Sequence, residues 1–246
     1  MAATARPPRP SPRAAPRRVA STTQTKTSAV LDQLRLDIVN GTLAPGVKLR
    51  LEHLVPRYGA GRTPLREACC RLASEGLVTL EEQRGFRVAA ISRGDLLDLT
   101  RTRQQIEPLA LRASILRGDL AWEGQVTAAL RRLQRVGAPA AHGAPLDDSW
   151  ELEHGRLHAE LLSACGSPLL LRFCSTLFDL GERYRRLAAA YGQPSRDIHA
   201  EHAALVRAAI DRDAERACAL LVEHIALTAE RVLACHPALD DKMSTK

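Results

Sequence analysis

Apolar residues fall three and four positions apart along most of this chain, and strict alternation is confined to one short stretch. From Ser28, the positions Val30, Leu31, Leu34, Ile38 and Val39 line one face of a predicted helix, which Gly41 closes. Pro45-Gly46 marks a turn. A short helix is expected from Leu51 to Tyr58, broken at Gly59. A second runs from Arg62 to Ser74, burying Leu65, Ala68, Cys69 and Leu72 and closed by Gly76. Leu77-Val78-Thr79-Leu80 and Phe86-Arg87-Val88, separated by Glu81-Glu82-Gln83-Arg84-Gly85, read as two strands around a turn.

Three helices and a hairpin in this order are the layout of a winged helix-turn-helix. Beyond Ile91 the periodicity is helical throughout. It predicts helices near 94–117, 120–136, 148–165, 168–191, 195–211 and 213–235, with one clear loop from Gly137 to Pro145. Asp95, Asp148, Ser167 and Ser195 suit N-caps, and Pro168 suits a first helical turn. The expected fold is therefore mainly α: a winged helix-turn-helix at 28–91, then an all-helical bundle of six or seven helices at 92–238 with room for a central pocket. Residues 1–27, rich in Pro and Arg, read as a disordered basic arm, and 239–246 as a flexible tail.

Composition agrees with helices: aromatic residues are only 3% of the chain, while 45% hydrophobic residues suffice for a core. No window approaches a membrane span, and the basic N-terminus lacks the apolar core of a secretory signal. Six cysteines without CxxC spacing suit reduced, buried thiols in a cytoplasmic protein. Charge is uneven. Residues 1–91 hold fifteen Lys and Arg against seven Asp and Glu, whereas 92–246 hold twenty against twenty-one. The whole excess of +7 thus lies in the first third, where it suits a polyanion such as DNA. Of the eight histidines, only His53 lies in that part.

Arg62 and Arg66, four apart near the start of the third short helix, share a face that can meet guanine edges in a major groove. His154 and His158 are likewise four apart on one predicted helix, with His202 and His224 each on a later one. Imidazoles converging inside a bundle make a transition-metal site. His154-Gly155-Arg156-Leu157-His158 is not a metalloprotease motif, because Gly155 stands where the catalytic Glu is required. For an enzyme reading, Glu153, Glu160 and Glu201 are candidate bases by sequence proximity alone. Arg103 and Glu107 fit a surface ion pair worth about 0.3–0.5 kcal/mol. Trp122, Trp150, Tyr184 and Tyr191 fit packing roles.

The segments Gly41-Thr42-Leu43-Ala44-Pro45-Gly46-Val47-Lys48-Leu49, Gly59-Ala60-Gly61-Arg62-Thr63-Pro64-Leu65-Arg66-Glu67-Ala68, Leu72-Ala73-Ser74-Glu75-Gly76-Leu77-Val78 and Arg84-Gly85-Phe86-Arg87-Val88 follow one another in a specific order. With Arg103-x-x-x-Glu107-Pro108, Leu157-His158, Ala164-Cys165-Gly166-Ser167-Pro168, Glu201-His202 and His224, they resemble the GntR family of bacterial transcription regulators. The likeness is to its FadR-like branch with the FCD ligand-binding domain.

The resemblance implies a cytoplasmic homodimer, most often a repressor, that binds a double-stranded DNA operator and answers to a small effector. It assigns DNA contact to Arg62, Thr63 and Arg66, with Arg57 on phosphate and Arg84 and Gly85 at the wing tip. Gly61 stands where the family usually has Ser or Thr, and Glu52 where some members carry a DNA-contacting Arg. It implies a divalent metal on His154, His158, His202 and His224, with His154 replacing the usual Asp. An all-nitrogen set favours zinc or nickel. Arg103 then turns to the pocket and binds a carboxylate effector. The alternatives are a metal-free pocket for an apolar or acyl effector, and a metal-dependent hydrolase.

Overall fold

The computed structural model describes residues 26–82, 84–136, 147–189, 197–235 and 239. Residues 1–25 of the arm, most of the tail, the loop at 137–146, Ser195, Tyr191, His142 and His236 lie outside the described residues, while Lys26 and Thr27, expected in the arm, open the first helix.

The first unit is a winged helix. α1 (Lys26–Val39), α2 (Leu51–Tyr58) and α3 (Arg62–Ser74) surround a core in which Leu34, Ile38, Leu65, Leu72 and Leu77 are fully buried. Gly59 ends α2 at φ 59, a left-handed conformation that a side chain resists, so the chain can turn sharply into α3. β1 (Lys48–Leu49), β2 (Val78–Glu81) and β3 (Gly85–Val88) form one antiparallel sheet in the order β1-β3-β2. β2 and β3 are the expected hairpin, with Leu80 opposite Phe86. β1 was not predicted, since two residues carry no readable period; it exists because Lys48 and Leu49 pair with Arg87 and Phe86.

The second unit is all-helical: α4 (Arg93–Arg117), α5 (Leu120–Arg135), α6 (Asp148–Leu162), α7 (Pro168–Ala189), α8 (Ile198–Ile210) and α9 (Ala214–Cys235). α4 packs along α9, α5 against α6 and α8 against α9, around Leu111, Ile115, Leu133, Leu157, Leu161, Leu205 and Leu221. The mainly α expectation holds, with corrections at helix ends. Ser92, not Asp95, caps α4: its Oγ accepts from the Asp95 backbone N–H at 3.0 Å. Asp147, not Asp148, caps α6 by accepting from Ser149 N–H at 2.8 Å. Asp197 caps α8. The helix expected to reach 165 ends at Leu162 and passes into a 3-10 turn over Ser163–Cys165, because Gly166 leaves the helical region at φ 76. Ser167 does cap α7, accepting from Leu170 N–H at 3.3 Å.

α7 joins the two units. Leu180 packs against the winged-helix core, and the Tyr184 hydroxyl meets the Ser92 amide at 3.4 Å. Arg183, buried, donates to the Ala89 carbonyl. Arg35 of α1 reaches Asp179 of α7 at 3.2 Å and Glu75 at the end of α3 at 2.9 Å. Burial outweighs the Arg35 guanidinium and pushes the Asp179 carboxyl up to about 6. A carboxyl raised above its unfolded value stabilises the fold below that value, and the gain is lost as pH rises through about 6. Relative to Asp179→Asn, the native protein should therefore lose about 1–2 kcal/mol between pH 4 and pH 7. Urea unfolding of both proteins across that range checks it, and parallel curves would refute it.

Candidate metal centre and nucleic-acid interface

α6 presents His154 and His158 from successive turns of one face, α8 presents His202, and α9 presents His224. Facing helices thus carry all four imidazoles into the bundle, each buried, with one ring nitrogen from each inside a common spread of 4.8 Å. Trp150, one turn before His154, stacks on it with centroids 4.6 Å apart and planes 15° apart. The His154 and His158 rings are likewise 4.6 Å apart, edge to face.

Burial, then the charge of Arg185, holds the His154 pKa well below its ordinary value. Burial followed by the neighbouring His224 and His202 does the same for His158. Both rings are therefore neutral near pH 7 and carry lone pairs. Neither nitrogen of His154 has a hydrogen-bond partner, and neither does His158 Nε2. Buried polar atoms without partners are costly, and a cation is the partner that several converging lone pairs share. Two nitrogens on one zinc ion at about 2.0–2.1 Å are never more than about 4.2 Å apart. The observed spread is within reach of small side-chain adjustments, so the residues fit a metal. His224 Nδ1 lies 2.9 Å from Glu201 Oε2, and a proton shared there leaves Nε2 as the donor atom.

Two buried ion pairs flank the imidazoles. Arg103 donates through Nε and Nη2 to Glu107 at 2.5 and 3.3 Å, and Arg185 donates through Nη2 to Glu151 at 2.6 Å. Both guanidiniums stand over the Phe178 ring, 5.7 and 5.2 Å from its centroid. The Arg103–Glu107 pair is thus not a surface pair: the two residues are 6% and 2% exposed. Sequence reading missed Arg185. In Arg183-Tyr184-Arg185-Arg186 it looks like part of a solvated run, and no spacing marks it as inward. A cavity of about 720 Å³ opens beside the cluster, with His158, Glu107, Glu151 and Phe178 in its wall. Of the bases an enzyme would need, Glu201 is engaged with His224, and Glu153 is held by Arg132 and Arg156.

On the winged helix, Arg62, Thr63 and Arg66 are exposed on α3. No hydrogen bond or ion pair among the described residues engages either arginine, so both guanidiniums are available. Gly61 is the N-cap of α3, in extended conformation and with no side-chain cap. Arg84 and Gly85 are exposed at the hairpin turn, where Gly85 takes φ 89. Arg57 differs. It donates to Asp37 of α1 at 2.7 Å, the same oxygen that accepts from the Tyr58 hydroxyl at 2.6 Å. It therefore ties α2 to α1 while remaining partly exposed.

The family model described as bacterial regulatory proteins, gntR family, matches residues 26–88, and the FCD domain model matches 98–227. The chain is 42% identical over 201 residues to the HTH-type transcriptional regulator BphR of Paraburkholderia xenovorans, covering 80% of this chain and 81% of that one. It is 37% identical to the HTH-type transcriptional repressor GlaR of Escherichia coli, covering 78% and 89%. Among solved structures, Escherichia coli McbR/YncC shares the fold with a TM-score of 0.71 at 21% identity, covering 85% of this chain and 98% of that one.

Removing one member of a buried ion pair leaves the other charge stranded. Glu107→Ala is expected to destabilise the protein by about 3–5 kcal/mol, and the double variant Arg103→Met with Glu107→Leu to recover most of that loss. Denaturant unfolding of the three proteins tests the assignment; a Glu107→Ala cost under about 1 kcal/mol contradicts it.

Proposed function

The chain belongs to the gntR family of bacterial regulatory proteins, with an FCD domain behind its winged helix, and from that premise we propose that it is a metal-containing, effector-responsive repressor. It is a DNA-binding transcription regulator and not an enzyme, as its relatives are. Among the described residues no helix is long and apolar enough to cross a membrane. The repressor sign follows that of the transcriptional repressor GlaR, to which the chain is 37% identical. A cytoplasmic homodimer would set two winged helices on the halves of a near-palindromic operator.

On this reading Arg62 and Arg66 meet base edges, Thr63 and the uncapped start of α3 meet phosphate, and Arg84 with Gly85 carries the wing to the minor groove. Arg57 reaches phosphate only by sharing or leaving Asp37. The observation that carries the sensor reading is the convergence of four buried imidazoles, with both His154 nitrogens and His158 Nε2 lacking a hydrogen-bond partner. His154, His158, His202 and His224 would hold zinc or nickel, since imidazole nitrogens suit those ions and manganese and magnesium favour carboxylate oxygens. Arg103 cancels Glu107 and Arg185 cancels Glu151, so a bound dication would supply uncompensated positive charge that draws in a carboxylate. Arg103, beside His158, would offer the carboxylate a hydrogen bond rather than net charge, because Glu107 already balances it. An effector acts by binding one arrangement of the two units better than the other.

Duplexes enriched from a random pool by the native chain supply the probe for the DNA half. Arg62→Ala with Arg66→Ala is expected to abolish sequence-specific retardation of those duplexes while leaving thermal unfolding unchanged. Retained specificity removes α3 from the reading. For the sensor half, untagged protein should contain about one equivalent of zinc or nickel by elemental analysis, and His158→Ala should lose it. A thermal midpoint unmoved by chelator and restored metal speaks for the metal-free alternative.

A further inference from the structure

The cavity beside the imidazoles is not closed by the bundle alone. His158 lines it, and so do Leu36 of α1 and Asn40, the residue that follows that helix. A single space therefore touches both a ligand of the proposed metal and the DNA-binding unit. Its volume of about 720 Å³ lies within the range of pockets that enclose a small organic molecule.

Two unmet demands sit on that α1 wall, four residues apart. Leu36 is 51% exposed, whereas Leu34 and Ile38 beside it are fully buried in the winged-helix core. Asn40 Oδ1 is shielded from water and has no hydrogen-bond partner. Leu152, Leu171 and Phe178 add apolar surface to the same wall. Each acid that also reaches it is paired with an arginine: Glu107 with Arg103, Glu151 with Arg185, Asp179 with Arg35, and Glu182 and Asp148 both with Arg186.

We infer that the effector is an elongated amphipathic acid whose carboxylate lies at the His158 end and whose apolar body reaches Leu36 and Asn40, so that the DNA-binding unit itself completes the effector site. The carboxylate end rests on the metal reading above; the α1 wall stands without it. A ligand of this kind touches both units at once and so binds only those placements of the winged helix that keep α1 against the cavity. It also lies against Asp179, the partner of Arg35 across the same junction. Coupling between effector and DNA then needs no relay through the bundle, because the bound molecule is part of the interface.

The test uses the full chain loaded with zinc, with acetate, hexanoate, decanoate and decanol as probes in calorimetric titrations. Affinity should rise with chain length, at best about fourfold per methylene buried, and decanoate should bind at least tenfold more tightly than acetate. Leu36→Trp, which fills the far end from an exposed position, should weaken decanoate about tenfold more than acetate. Asn40→Leu should favour decanoate, because it replaces the stranded amide with apolar surface. Affinity independent of chain length, no binding of decanoate, or equal effects of Leu36→Trp on acetate and decanoate overturns the inference. Decanol binding as tightly as decanoate, still weakened by Leu36→Trp, upholds the α1 wall and defeats the carboxylate end alone.

Discussion

Four imidazoles kept out of water set the terms for the helical half of this protein. Each brings polar nitrogens into the bundle interior, and at His154 and His158 burial and the flanking guanidiniums oppose protonation. Such an arrangement is stable only if the surrounding helices are rigid enough to hold the rings together and something meets their lone pairs. The stacking of Trp150 on His154, the Glu201 contact to His224 and the two arginine–glutamate pairs around Phe178 all serve that demand. The proposed metal is the simplest answer to it.

α7 connects that cluster to the winged helix. One of its faces carries Phe178 and Arg185 beside the histidines, and the other carries Asp179, Leu180 and Arg183 against the DNA-binding unit. Gly181 lies between them, and an added Cβ there would come within 2.6 Å of Arg103 Nη1. Helix and guanidinium are packed closely enough that a change at one is felt at the other. Two units with a shared helix have few independent positions, which is what a two-state regulator requires.

Helix periodicity made most of the architecture legible because the buried faces of α1 to α9 are long and regular, and the spacing of His154 and His158 identified one wall of the cluster. His202 and His224 came from the family pattern rather than from spacing, since nothing in their sequence separation says that α8 and α9 face α6. What escaped has a physical reason in each case. A four-residue spacing describes Arg103 and Glu107 equally well on a surface or in a core, and only tertiary packing decides between them. Arg185 hides among other arginines. β1 is made by its partner strand rather than by its own pattern. Leu36 lies off the apolar stripe of α1, so its place in the cavity wall shows only once α7 is in position.

Gly61 has a consequence for the state of the protein away from its target. With no hydroxyl or carboxylate at that position, no N-cap side chain meets the first amides of α3, and glycine lends the preceding turn extra freedom. In the proposed complex an oxygen of the DNA backbone, arriving where a serine would otherwise sit, would complete the helix end that the polypeptide leaves unfinished. Part of the ordering of the reading head would thus be supplied by the duplex itself, so that grip and local folding rise together and both weaken as salt displaces the phosphate.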